Sequence, residues 1–365
     1  MEKTVGLLLM IGLGLALQRK ISSSEQLKGL KVLILSVALP ATIFVALLNV
    51  KLSENMLIFP LMALVINGIL LAITYVGKPL FSGLQDARHR TLMMLLPSFA
   101  PGLSCFPFIA EYLGDESLAL AALADVGNKV FVLILLYLLA MHWYHRANQD
   151  TSSKSSVKQV LVALIGEPIN LVMVVALVML GFGFNLQSLP IAVSEVILRM
   201  SGIMAPLILL FIGLAVKITK NDLALVLKAL MLRSGILLVL SAMLLFVITG
   251  LSLPTMLLIV VFPQSSCSFW PFAHMSAVSA LEKGENQTFD INFALSTLAI
   301  SLPFSTVVVL GTFTFQSWSV NPVFIAISGT LFITIASFGF LKKWTQRTIR
   351  IVFKGKYVTH PVSDV

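Results

Sequence analysis

Pro101-Gly-Leu-Ser-Cys-Phe-Pro-Phe108 and Pro263-Gln-Ser-Ser-Cys-Ser-Phe-Trp-Pro-Phe272 are the two stretches on which the reading of this chain turns. Both run Pro-x-x-Ser-Cys, then an aromatic residue, then Pro-Phe, with two extra residues in the second copy. Each lies near the middle of an apolar run longer than the roughly 20 residues that cross a bilayer. A proline inside a helix removes one backbone donor and clashes with the carbonyl four residues earlier. Two such prolines, with Pro97 as a third in the first copy, predict unwinding between Pro101 and Pro107 and between Pro263 and Pro271. Unwound backbone survives at membrane depth only where it is buried in protein or lines a wet cavity. A matched pair of proline-interrupted spans is therefore the best pointer in a sequence to a transport site.

The rest of the chain supports a membrane setting. Its 365 residues are 58% hydrophobic and 11% charged, against roughly 25% charged in an ordinary soluble domain. Eleven apolar runs can be separated: 4–18, 29–50, 55–77, 91–113, 117–143, 167–185, 190–218, 223–250, 254–281, 289–316 and 322–341. They read as helices, because a closed barrel needs alternating segments of about ten residues. Glu2 and the absence of a small-x-small cleavage site argue against a signal peptide in the first run. The two cysteines lie within apolar runs and form no disulfide framework.

Lys and Arg report orientation. Nineteen of the 25 fall in alternate loops and the C-terminal tail, only Lys3 and Lys51 fall on the other side, and Lys129, Arg199, Lys228 and Arg233 lie within spans. The positive-inside rule then places the N-terminus outside and the C-terminus in the cytoplasm. The net charge of +9 is accordingly no sign of nucleic-acid binding. An integral protein of the plasma membrane is expected.

The chain also repeats itself. Gly12-Leu-Gly-Leu-Ala-Leu-Gln18 returns as Gly181-Phe-Gly-Phe-Asn-Leu-Gln187, and Pro40, Val50-Lys51 and Asn55 return as Pro206, Val216-Lys217 and Asn221, 166 residues later. Gly68-Ile-Leu-Leu71 returns as Gly235-Ile-Leu-Leu238. Five spans per unit is an odd number, so the second copy enters the membrane inverted. The expected fold is an all-α polytopic membrane protein of two inverted five-helix repeats, 1–145 and 167–316. A Ser-rich cytoplasmic linker, 146–166, joins them, and 317–365 adds an eleventh helix and a basic tail.

The candidate substrate site follows from the two motifs. Pro101, Ser104, Cys105 and Pro107 from span four, with Pro263, Gln264, Ser265, Ser266, Cys267 and Pro271 from span nine, supply hydroxyl and amide groups and half-helix ends for an anion. As small buried residues, the two cysteines require no function. Arg233 in span eight has no acid three or four residues away, so it finds a carboxylate elsewhere, snorkels, or faces a cavity where an anion pairs with it. Asp125 and Lys129 stand one helical turn apart with Asn128 between them. They read either as a neutral pair holding span five in the bundle or as an ion relay beside the motif. His274 follows the second motif and can titrate or simply hydrogen-bond. No P-loop, H-E-x-x-H, G-x-S-x-G or Cys/His cluster is present, so neither nucleotide hydrolysis nor another enzymatic activity is indicated.

With its sequel Glu111-Tyr-Leu-Gly-Asp-Glu116 and Ala124-Asp-Val-Gly-Asn128, span four resembles the auxin efflux carrier family of the bile acid sodium symporter superfamily. So do Leu39-Pro40, Phe262-Pro263, Ser296-Thr297 and Leu302-Pro303, a resemblance covering about residues 4 to 316. It implies a scaffold of spans one, two, six and seven and a transport part of spans three to five and eight to ten, with the broken helices crossing at the substrate. It further implies elevator-type secondary transport of a small organic anion such as a carboxylate. Na+ or H+ is the candidate coupling ion, no cofactor or metal is expected, and the partners are the bilayer and a second copy of the chain. A channel or a membrane sensor on the same fold is the alternative.

Overall fold

The computed structural model describes residues 2–21, 23–49, 58–78, 84–148, 168–215, 222–282 and 287–354. The linker beyond Asn148, the repeat positions Val50, Lys51, Asn55, Val216, Lys217 and Asn221, and the tail after Lys354 lie outside these residues. The described chain is helical throughout. In order it forms α1 (Glu2–Leu17), α2 (Ser24–Leu33), α3 (Leu39–Leu48), α4 (Ile58–Val76), α5 (Asp86–Leu95), α6 (Pro101–Ser104), α7 (Phe106–Val130) and α8 (Leu136–Asn148). Then follow α9 (Pro168–Gly181), α10 (Ile191–Gly202), α11 (Met204–Ala215), α12 (Leu223–Val247), α13 (Leu253–Val261), α14 (Phe269–Leu281), α15 (Ile291–Thr314), α16 (Gln316–Ser319) and α17 (Pro322–Lys354).

Among the described residues seven helical segments are long and apolar enough to cross a membrane, and three shorter apolar helices lie at Val5–Leu17, Leu171–Gly181 and Pro322–Phe338. The protein is thus a multi-helix chain of integral-membrane character. Several of the runs read from the sequence are composite. A π-helical turn, Ile34–Ala38, joins α2 to α3 immediately before Pro40. The wider turn lets the proline ring pass where a regular α-turn would clash with the carbonyl four residues back. A second π-turn, Phe131–Leu135, joins α7 to α8. Its Val132 carbonyl is taken by His274 Nε2 at 3.0 Å, which settles where that histidine points. Within α7, Gly114 at φ 79° separates the stretch after the first motif from the stretch carrying Asp125. That left-handed conformation comes without steric cost only to a residue lacking Cβ.

Glycine also permits the closest helix contacts. A Cβ at Gly127 of α7 would overlap the Pro60 carbonyl of α4, and one at Gly14 of α1 would overlap the Leu210 carbonyl of α11. Gly235 of α12 and Gly329 of α17 face each other in the same manner, so the eleventh apolar run packs on α12. Small residues at such crossings let backbones approach where no hydrophobic force drives helices together in lipid.

Charged groups tie the ends. Arg88 of α5 donates to Asp222, just before α12, at 3.0 Å and to Asp290, just before α15, at 2.9 Å. Arg90 donates to the Thr288 carbonyl at 2.8 Å. The starts of α5, α12 and α15 therefore share one end of the bundle. Beside them a hydrogen bond from Lys78 at 2.8 Å, reinforced by its charge, holds the exposed Asp86 carboxyl below the usual carboxylate range. At the other end Asn49 donates to Asp115 at 3.3 Å, and Tyr112 stacks on Phe313 with ring centroids 4.6 Å apart.

Candidate functional site: two unwound segments and the cavity they face

Both motif spans are interrupted, but the first interruption lies one proline earlier than the sequence reading put it. After α5 the chain leaves helical geometry at Pro97 to Ala100 and re-enters it at Pro101. Pro101 occupies the first turn of α6 and Pro107 the first turn of α7, where a missing N–H costs nothing. Between them only Cys105 departs from the helix. In the second copy a 3-10 turn, Phe262–Gln264, runs into extended residues 265–268, and Pro271 lies in the first turn of α14. The proline matching Pro263 is thus Pro97, 166 residues away, the offset that also separates Pro40 from Pro206.

The two unwound segments bind each other. Ala100 N–H donates to the Ser266 carbonyl at 2.8 Å. Ser266 N–H donates to Ser104 Oγ, and Ser268 N–H donates to Ser98 Oγ, each at 3.0 Å. Cys105 Sγ lies 3.3 Å from Ser265 Oγ. Backbone groups released from the helices are in this way satisfied across the crossing, as a buried break requires.

Neighbouring helices hold the remaining groups. Asn128 of α7 accepts from Phe99 N–H at 3.1 Å and donates to the Phe99 carbonyl at 2.9 Å, so one side chain pairs both backbone groups of a residue. It also donates to Asp125 Oδ1 at 2.8 Å and accepts from Asn67 of α4 at 2.9 Å. From the other side Arg233 donates to the carbonyls of Leu96 at 2.7 Å and Ser98 at 3.1 Å, with its guanidinium over the Phe99 ring. Two N–H donors of this one guanidinium at the carboxyl end of α5 sit where the helix dipole is negative. The second segment is held by hydroxyls. Ser305 donates to the Gln264 carbonyl, Cys267 N–H donates to Ser301 at 3.3 Å, and the Gln264 side chain is engaged by Ser234.

A cavity of about 440 Å3 lies where this crossing meets α2, α3 and α11. The crossing contributes Phe99 to Leu103 and Ser266 to Trp270. Opposite stand Lys31, Leu35 and Leu39 with Phe211 and Ala215, and Leu295, Leu298 and Leu302 of α15 extend the apolar wall. Asp125, Asn128, Lys129 and Val132 of the α7 side and Ala299 of α15 also line it. Lys129 Nζ is 3.5 Å from Asp125 Oδ2, so that pair adds no net charge. Leu295 lies in the second turn of α15, whose start is bound by Arg88, so the cavity extends toward that end of the bundle. Chemically it is an apolar chamber with one polar floor and a small number of fixed charges, the usual make-up of a small-molecule site.

No family model matches the chain, and no curated protein matches it in sequence.

Of the residues singled out in the sequence, Pro101, Ser266, Cys267, Asp125, Asn128 and Lys129 line the cavity. Ser104, Cys105, Gln264 and Ser265 lie in the crossing behind it and bind backbone or one another. Pro107, Pro263 and Pro271 shape the half-helices, and Arg233 is spent on carbonyls rather than facing the cavity. Sequence reasoning missed Lys31, counted there with the loop cations, and the aromatic wall of Phe99, Phe211, Phe269 and Trp270. It also missed Ser98, Asn67, Ser301 and Ser305. Only Ser98 had a local signal, since it stands between Pro97 and Pro101.

Proposed function

We propose that the protein is a secondary transporter of a small organic anion, carried in the cavity between the crossing and the α2, α3 and α11 wall. The observation that carries this reading is the crossing of two unwound, mutually hydrogen-bonded segments from distant parts of the chain at the floor of a cavity with cationic groups. Helices broken at membrane depth are expensive and recur where a transported ligand is held. The 13-residue α14 starts at the cavity and turns its positive dipole end toward it, which favours a carboxylate there. The resemblance of span four to auxin efflux carriers points the same way, and with it the inverted repeat and an elevator-type movement of the transport part against α1, α2, α3, α9, α10 and α11. In this reading the cavity, which extends toward the Arg88 end and away from the Tyr112–Phe313 stack, belongs to the inward-facing state of an alternating cycle. Asp125, with one oxygen on Asn128 and the other on Lys129, acts as a fixed wall of the site.

Uptake into proteoliposomes tests the proposal. Radiolabelled carboxylates offered with and without Na+ and H+ gradients are expected to enter with saturable kinetics, and the gradient that accelerates entry identifies the coupling ion. Linear, non-saturating flux would assign the chain to the pore class, and binding without any flux would make it a sensor.

A further inference from the structure

Among the described residues Lys31 is the uncompensated charge of the cavity lining. Its ammonium lies 4.4 Å from the centroid of the Phe269 ring, on the first residue of α14, and no described carboxylate lies within ion-pair distance of it. The other two ionisable groups of the lining, Asp125 and Lys129, neutralise each other. Among the described residues the lining therefore carries a single net positive charge, located on the α2 wall and facing the crossing, with leucine and aromatic side chains on the walls and Ser266, Ser268 and Asn128 on the polar floor. An aromatic face is a weaker partner for an ammonium than an anion in the same low-dielectric place. A second negative charge brought into such a chamber would find no second uncompensated cation among the described lining residues and would bear a desolvation cost that Lys31 does not offset.

We infer that Lys31 is the residue that sets ligand charge at one, its ammonium leaving the Phe269 ring to pair with a single carboxylate-type group while the apolar body of the ligand fills the leucine and aromatic wall. This rests on the reading of the cavity as an organic-anion site. It makes Lys31 a specificity-determining residue contributed by the wall opposite the crossing, so that a bound monoanion bridges α2 and α14. A dianion of similar size is rejected by its second charge, and a neutral isostere by leaving the ammonium on the ring.

Binding of benzoate, phthalate and benzamide to the purified full chain, read by calorimetry and by the fluorescence of the cavity residue Trp270, tests the inference. The wild-type chain is expected to bind benzoate at least tenfold more tightly than either phthalate or benzamide. Lys31→Gln is expected to lose that tenfold preference over benzamide, and Lys31→Arg to retain benzoate binding within about threefold. The melting temperature of each variant separates a lost charge from a lost fold. Benzoate bound equally well by wild type and by a folded Lys31→Gln chain overturns the role of Lys31 while leaving the anion site standing, and so does phthalate bound more tightly than benzoate. A wild-type chain that binds neither benzoate nor phthalate overturns the inference together with the transport reading.

Discussion

Asn128→Leu is expected to cost about 5 kcal/mol of stability, the largest effect of any single change at the crossing. The side chain is 1% exposed and serves four partners at once, namely the N–H and carbonyl of Phe99, the Asp125 carboxylate and the Asn67 amide. Leucine fills a similar volume but leaves all four without that partner in a buried site, where each unsatisfied group costs about 1–3 kcal/mol. Asn49→Ala serves as the control, because its hydrogen bond to Asp115 is exposed and is expected to matter by less than about 1 kcal/mol. Thermal unfolding in detergent reads both. An Asn128→Leu chain as stable as wild type would mean that the unwound segment is held by something other than this amide.

Asp125→Asn comes next, with an expected loss of about 3–5 kcal/mol. Asp125 and Lys129 are both about 5% exposed, and the substitution leaves the Lys129 ammonium in the protein interior without its carboxylate. Asp125→Asn combined with Lys129→Met removes both charges and is expected to recover most of the lost stability, since replacing a buried pair as a whole is often close to neutral. The double variant also keeps the cavity's net charge, so it is expected to retain monoanion binding. If the double variant is stable and binds but its transport no longer responds to an ion gradient, the pair is the relay that the sequence alone left open.

Much of the architecture was legible in the sequence because bilayer length and proline chemistry act locally. Among the described residues the apolar runs fall in helices, although α7 runs across the boundary between the fourth and fifth, and both motif spans are interrupted. The error at the first motif has a local cause as well. A proline can end one helix or begin the next, and Pro101 begins α6 while Pro97 marks the break. The 166-residue offset already shared by Pro40 and Pro206 held the information needed to choose Pro97. The cavity was far less legible. Arg233 looked like an anion partner because no acid lies near it in sequence, yet its partners are carbonyls 135 and 137 residues away. Lys31 looked like a loop cation because it stands two residues into an apolar run, and only the tertiary arrangement that brings its ammonium over the Phe269 ring shows that it faces a chamber. Which helix faces which is a tertiary fact, and a single sequence carries little of it.

Two-sided access to Ala299 tests the central claim most directly, because it does not depend on knowing the substrate. Ala299 lines the cavity from α15, and the native thiols Cys105 and Cys267 can be changed to alanine so that Ala299→Cys carries the single thiol. A membrane-impermeant thiosulfonate is then applied to oriented vesicles from one side at a time. Alternating access predicts rapid labelling from the side of the Arg88 end, slower but complete labelling from the opposite side, and a change in the ratio when a transported anion is added. Labelling from one side alone, unchanged by any carboxylate offered, would contradict it.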